Sequence, residues 1–326
     1  MKLIPSIFLF AALLSSFTSA AANHEQGTQL QKAVLVTGAS SGLGLKMTQE
    51  LSSSGFFVYA GVLHKDEMKA MNAMDNVAAV QFDVRKQKEI DAAVRFVEKQ
   101  GRGLYGLINN AGVSVFGPML EMPVKQLDYQ MDVNVYGPFR VTQAFAPLII
   151  ASKGRIATTG SIAGIVSSPM FGAYSMSKHA VEAYTDTLAK EMARFDVSVH
   201  VIEPGSYASN IGNAAKTLLL EENYWTEDSQ YAAERTMVLE RLGQVDKGAD
   251  PIDVAKAALH IMASDTPKHR YMVTATVAQA DATIRRQISK MLELNHGQVH
   301  AFNRTRLIEM LDEELAKNAT AAKQAK

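Results

Sequence analysis

Short apolar runs alternating with helix-length amphipathic stretches constrain this chain more than any other feature of it. Ala33–Thr37, Phe57–Ala60, Val77–Phe82, Gly106–Ile108, Arg155–Thr158, Val197–Ile202 and Tyr271–Thr274 are short and mostly apolar, as strands buried on both faces must be. Between them Leu43–Ser53, Lys86–Lys99, Val124–Ala151 and Tyr174–Arg194 read as helices. Strands and helices taken in turn predict βαβ units. The fold class is therefore α/β, a single doubly wound parallel-sheet (Rossmann) domain over residues 30–275 with helices on both faces. Two more helical patterns, Ala282–Leu294 and Thr305–Ala316, follow the last strand. They predict a helical C-terminal extension over residues 276–326, with its Ala/Lys-rich end, Lys317–Lys326, frayed.

Composition removes several classes of function. Lys plus Arg and Asp plus Glu each number 33, so the chain lacks the basic footprint of a nucleic-acid binder. Cys is absent, which excludes a disulfide framework and thiolate chemistry. The scattered His residues have no H-E-x-x-H or comparable spacing, so no metal is expected. Residues 1–22 carry Lys2 as their only charge, then the apolar run Leu3–Leu14, then small residues. That is the pattern of an export signal. The run falls short of the ~20 apolar residues a bilayer span needs, and no later stretch reaches that length. The leader predicts export or membrane anchoring. The alternative is a cytoplasmic protein whose start lies further along the chain.

The first predicted strand runs straight into Thr37-Gly38-Ala39-Ser40-Ser41-Gly42-Leu43-Gly44, then an amphipathic helix. Glycines let the backbone turn sharply and let a pyrophosphate approach, and the helix start offers free N–H groups to it. Gly38, Ser40, Ser41, Gly42, Leu43 and Gly44 are thus a predicted phosphate cradle. After the second strand an acidic residue would bind a ribose 2′-hydroxyl. Val62 stands there instead, and Lys65 offers a charge for a 2′-phosphate, so the reading leans to NADP over NAD.

Tyr174 and Lys178 lie one helical turn apart, so they share a face. A cation beside a phenol favours phenolate and is expected to lower its pKa towards a usable general acid/base. Other candidates fall at the carboxyl ends of predicted strands or on helices next to that edge, where open α/β sheets bind ligands. These are Asp83-Val84, Asn110-Ala111-Gly112, Asn134, Ser161 and Pro204-Gly205. His179 lies off the Tyr174–Lys178 face and is read as packing. Met170 and Phe171 stand close enough to Tyr174 to line a substrate wall.

Together these motifs, in this order, make the chain from about Lys32 to Thr274 resemble the short-chain dehydrogenase/reductase family, in its retinol/steroid dehydrogenase-like branch. The resemblance implies a nicotinamide-dependent oxidoreductase interconverting an alcohol and a carbonyl. In that picture Gly38, Gly42 and Gly44 hold the cofactor phosphates, and Asp83 and Asn110 border the adenosine side. Ser161 bonds the substrate oxygen, Tyr174 moves its proton, and Lys178 binds the nicotinamide ribose. Asn134 would hold a relay water. Ser209 stands near the family's usual Thr after Pro-Gly, and a homo-oligomer is implied. Residues 206–248, with Tyr207, Leu218-Leu219-Leu220 and Tyr224-Trp225, are long for a connector and read as a lid. Their apolar side chains either face a hydrophobic small molecule, retinoid-, steroid- or fatty-chain-like, or pack the lid onto its own domain. The other function class is a nucleotide-binding or redox-sensing protein of the same fold without turnover.

Overall fold

In a computed structural model of the chain, residues 31–244 and 247–324 are described. The leader, residues 1–22, lies outside them. Seven strands form one sheet: β1 (Ala33–Thr37), β2 (Phe57–Val62), β3 (Val77–Gln81), β4 (Gly106–Asn109), β5 (Arg155–Thr159), β6 (Ser198–Pro204) and β7 (Arg270–Val273). Their order is β3-β2-β1-β4-β5-β6-β7, and every neighbouring pair is parallel. Strand order reverses between β1 and β4, and the crevice at such a switch point is where doubly wound sheets bind ligands.

Helices cover both faces. Against one pack α1 (Gly42–Ser53) and α9 (Ile252–Ala263), through Met47, Leu51, Val254 and Ile261. Against the other pack α3 (Gln87–Lys99), α5 (Gly137–Ala151) and α6 (Gly172–Met192), through Ile90, Val97, Val141, Phe145, Ile149 and Met192. Each large apolar side chain fully buried this way contributes about 1.5–3 kcal/mol. The all-buried strands β1 and β4 explain why those runs read as continuously apolar rather than alternating.

The structure departs from the sequence reading in three places. The long helix expected over Val124–Ala151 is α4 (Val124–Met131) and α5, separated by a π-helical turn, Asp132–Tyr136. Periodicity cannot show one inserted residue, because the apolar face resumes beyond it. The lid holds two helices, α7 (Ile211–Glu222) and α8 (Ala232–Leu242). The expected fraying of Lys317–Lys326 is corrected as far as Gln324, and residues 325–326 lie outside those described. The last helix, α11 (Arg304–Gln324), continues through the Ala/Lys-rich stretch, whose residues have high helix propensity. A short helix, α2 (Glu67–Asn72), follows β2, and α10 (Val277–Asn295) follows β7.

Candidate active site

The glycine turn joins β1 to α1 at the switch point. Gly38 and Gly42 have φ of +64° and +50°, in the left-handed region open to glycine. A Cβ on Gly44 would stand 2.1 Å from the Gly38 carbonyl oxygen and 2.6 Å from Asn110 Nδ2. Ser41, the N-cap of α1, makes no side-chain capping hydrogen bond, so it leaves the first-turn N–H groups to another acceptor. A cradle without side chains facing an open helix start fits a dinucleotide pyrophosphate.

Asn110 is tied to this turn more firmly than a bordering role requires. Its Nδ2 donates to the carbonyls of Thr37 (3.1 Å) and Gly38 (3.2 Å), and its Oδ1 accepts from Thr159 Oγ1 (3.2 Å). Thr37 Oγ1 accepts from the N–H groups of Asn110 and Ala111, both at 2.9 Å. Asn110 therefore pins the ends of β1, β4 and β5 together. Asp83 is buried, and Arg85 holds its carboxylate through both oxygens at 2.7–3.1 Å. Burial pushes that carboxyl up, but the Arg85 bonds outweigh it and hold the group below the usual range. Val84 packs beside Gly137 at the start of α5. Ser209 lies over Gly42, whose Cβ position is 3.0 Å from Ser209 Cβ. The structure thus brings Ser209 to the glycine turn at the mouth of the lid. Gly112 lies beside Asn134 Oδ1, and Pro204-Gly205 closes β6, where the Gly205 N–H donates to Val273 O at 2.7 Å.

The chemical group is assembled by β5, the π turn and α6. Ser161, just past β5, accepts the Ala163 N–H at 3.1 Å and caps the 3₁₀ turn Ile162–Gly164. The same hydroxyl lies 3.5 Å from Pro204 O, to which it donates, and stands close enough to the Tyr174 phenol to draw its pKa down. Lys178 Nζ sits 5.5 Å from the Tyr174 ring centroid and donates to Thr159 O at 2.7 Å. The expectation that Lys178 lowers the Tyr174 pKa needs correction. Burial pushes the phenol up to about 12, against the Ser161 hydroxyl. Burial also pushes Lys178 down to about 8, with Glu182 one turn on pulling the other way. Desolvation dominates both groups, because burial disfavours the charged phenolate and the charged ammonium alike.

Asn134 lies in the π turn, where the altered register leaves a helix carbonyl without its usual amide. Its side chain is fully engaged. Oδ1 accepts the Val113 N–H at 2.9 Å, while Nδ2 donates to Val113 O (3.0 Å) and Ser177 Oγ (3.2 Å). The residue joins the loop after β4 to α6. His179 bonds Ser175 O at 2.8 Å and meets Lys290 of α10, a packing position.

Phe171 stacks on Tyr174 (centroids 4.5 Å, 20° between planes), and Phe116 stacks on Phe171 (4.6 Å, 23°). Phe116 was not legible in the sequence, since it reaches this wall only because Gly117 bridges Phe171. Met170 takes a left-handed backbone at φ +60° beside it. The lid leans on the same loop, with Tyr224 Oη donating to Phe116 O at 2.9 Å. Trp225 and Leu219 are buried within the protein, and Leu220 is exposed. Trp225 and Leu219 thus pack the lid onto its own domain. Behind Lys178, Arg270 bridges Glu182 and Glu203, each at 2.8 Å. Burial, with Glu182 as neighbour, raises the Glu203 carboxyl to about 8. No spacing pattern marks these residues, which come from three elements. Among the described residues no group of three His, Cys, Asp or Glu side chains could hold a metal, and no helix is long and apolar enough to cross a membrane.

Comparison with known proteins gives this geometry its family. Residues 32–217 match the model of the short chain dehydrogenases. Bovine mitochondrial D-beta-hydroxybutyrate dehydrogenase is 33% identical over 261 residues, covering 74% of this chain and 76% of that protein. The Escherichia coli K12 oxidoreductase YbbO is 34% identical, covering 76% of this chain and 87% of its own length. Mouse retinol dehydrogenase 16 is 32% identical, covering 74% and 80%. Among solved structures, a short chain dehydrogenase/reductase from Burkholderia phymatum in complex with NAD superposes with a TM-score of 0.68 at 25% identity, covering 81% of this chain and 95% of that one. The chain belongs to the short-chain dehydrogenase/reductase family and is an NAD(P)-dependent oxidoreductase.

Proposed function

We propose that this oxidoreductase works on an apolar alcohol or carbonyl compound, with Tyr174 exchanging the proton on the substrate oxygen and Ser161 holding that oxygen in place. The observation that carries the reading is the gathering of Tyr174, Lys178 and Ser161 at the carboxyl edge of β5, with Lys178 Nζ 5.5 Å from the phenol ring centroid and bonded to Thr159 O, and Ser161 beside the phenol. Two neighbouring hydroxyls can both turn to a carbonyl oxygen entering between them. At neutral pH the phenol carries its proton, the state needed to donate to a carbonyl being reduced. When bound, the nicotinamide supplies or accepts the hydride and, oxidised, adds a positive charge to the site. Gly38, Gly42 and Gly44 would hold its pyrophosphate, and Lys178 would face its ribose.

The Phe116–Phe171–Tyr174 stack offers the substrate an apolar wall, which favours a hydrophobic molecule over a sugar. Asn134 acts as a positioning residue, holding the α6 segment that carries Tyr174 and Lys178 through Ser177. In the test, purified protein is mixed with a panel of aliphatic, steroid and retinoid carbonyls and reduced cofactor. Wild type is expected to consume cofactor, and Tyr174→Phe to lose about 10²-fold or more in kcat. Dinucleotide affinity in that variant should stay within about threefold. Turnover that survives in Tyr174→Phe would refute the role. Cofactor binding with no turnover on any substrate would favour a binding or sensing protein of the same fold.

A further inference from the structure

The sequence-based lean to NADP rests on Lys65, but the charged side chain fastened to the glycine turn belongs to another residue. Glu67, the first residue of α2, accepts the Ser40 hydroxyl on Oε1 at 2.7 Å and the His64 N–H on Oε2 at 2.9 Å. Ser40 is in the phosphate cradle, and the turn is held against the end of β2 by the Ala39 N–H to Gly61 O bond at 2.9 Å. In this fold the adenosine ribose lies between the glycine turn and the end of the second strand, beside an acid that bonds its 2′-hydroxyl. Val62 at the end of β2 is apolar and buried, so the strand supplies no acid. The loop after it returns one five residues further on, at Glu67, which bonds Ser40 at the same corner.

We infer that Glu67 is the residue that selects the cofactor, favouring the plain 2′-hydroxyl of NAD over the 2′-phosphate of NADP. This inference rests on the proposed dinucleotide-dependent function. Two effects act together. The carboxylate accepts the ribose hydroxyl and repels an added phosphate. It also engages the Ser40 hydroxyl, which a 2′-phosphate would otherwise use as a donor. Both bonds hold the carboxylate in a fixed place, so little further ordering is needed when a ribose arrives. Lys65 and His64 are exposed. Repulsion between like charges in contact at a protein surface exceeds a discrimination of about tenfold.

The experiment measures equilibrium binding of NADH and of NADPH by nicotinamide fluorescence, with no substrate present. It uses the full-length wild type, Glu67→Gln and Lys65→Gln. Thermal unfolding confirms that each variant is folded, as half-exposed Glu67 allows. Wild type is expected to bind NADH at least about tenfold more tightly than NADPH. Glu67→Gln should bring the two affinities within about threefold of each other, chiefly by strengthening NADPH. Lys65→Gln should leave the ratio as in wild type. Wild-type preference for NADPH, an unchanged ratio in Glu67→Gln, or a ratio that moves only in Lys65→Gln would overturn the inference alone. Failure of both dinucleotides to bind would instead overturn the functional reading beneath it, and the inference with it.

Discussion

Gly44→Ala tests whether the cradle at the switch point is as tight as the structure shows. The new methyl carbon would lie 2.1 Å from Gly38 O and 2.6 Å from Asn110 Nδ2. Restoring ordinary contact needs a shift of roughly 1 Å between α1 and the turn, because the nearer obstacle is backbone. That shift strains the bonds from Asn110 Nδ2 to Thr37 O and Gly38 O. One overpacked methyl costs about 1–3 kcal/mol, and two weakened hydrogen bonds about 0.5–1.5 kcal/mol each. The sum is about 2–6 kcal/mol, which in a domain of this size lowers Tm by roughly 5–20 °C. Gly55→Ala is the control: φ there is +91° and nothing lies within 4 Å of the added carbon, so backbone strain of about 1 kcal/mol is all it should cost. Calorimetry gives the Tm values, and titration with reduced dinucleotide gives affinity, which should fall at least about tenfold in Gly44→Ala. If Gly44→Ala melts no lower than Gly55→Ala and binds as wild type does, the cradle is looser than described and its assignment as the phosphate site fails.

Two further outcomes follow from buried polar groups. His200 lies on β6, its Nδ1 at 2.7 Å from Lys268 O and Nε2 at 2.9 Å from Ser198 Oγ, and burial holds its pKa down at about 4 against 6.5. The unfolded chain therefore binds this proton more tightly, so the contribution is intact above pH 6.5 and is lost as pH falls towards 4, approaching about 3 kcal/mol. Urea unfolding across that window should show the loss, and His200→Gln should flatten it; equal slopes would exclude His200 as the cause. Asn134→Ala removes the side-chain partner of the Val113 N–H, leaves Val113 O to Gln130 Nε2, and unties Ser177. It should cost about 2–4 kcal/mol in denaturant unfolding and lower kcat with little change in dinucleotide affinity. An unaltered kcat would remove its positioning role.

Much of this molecule could be read from the chain. Strands β1 and β4 were legible because central parallel strands are buried on both faces and so are mostly apolar, and the glycine turn because close approach of backbone to a phosphate excludes side chains. Tyr174, Lys178 and Ser161 were legible as a set because a helix fixes the first two on one face and strand ends collect at one edge. The sequence alone thus determined the α/β class, the strand order's raw material and the identity of the chemical groups. Tertiary structure alone decided how they behave. A π turn placed Asn134 between the loop after β4 and α6, and burial pushes the Tyr174 phenol up and the Lys178 ammonium down. Phe116 reached the aromatic stack on Tyr174 and Glu67 reached Ser40 from segments that local pattern does not connect. Periodicity reports what a residue's own element buries. Desolvation and contact between distant segments depend on the packed whole.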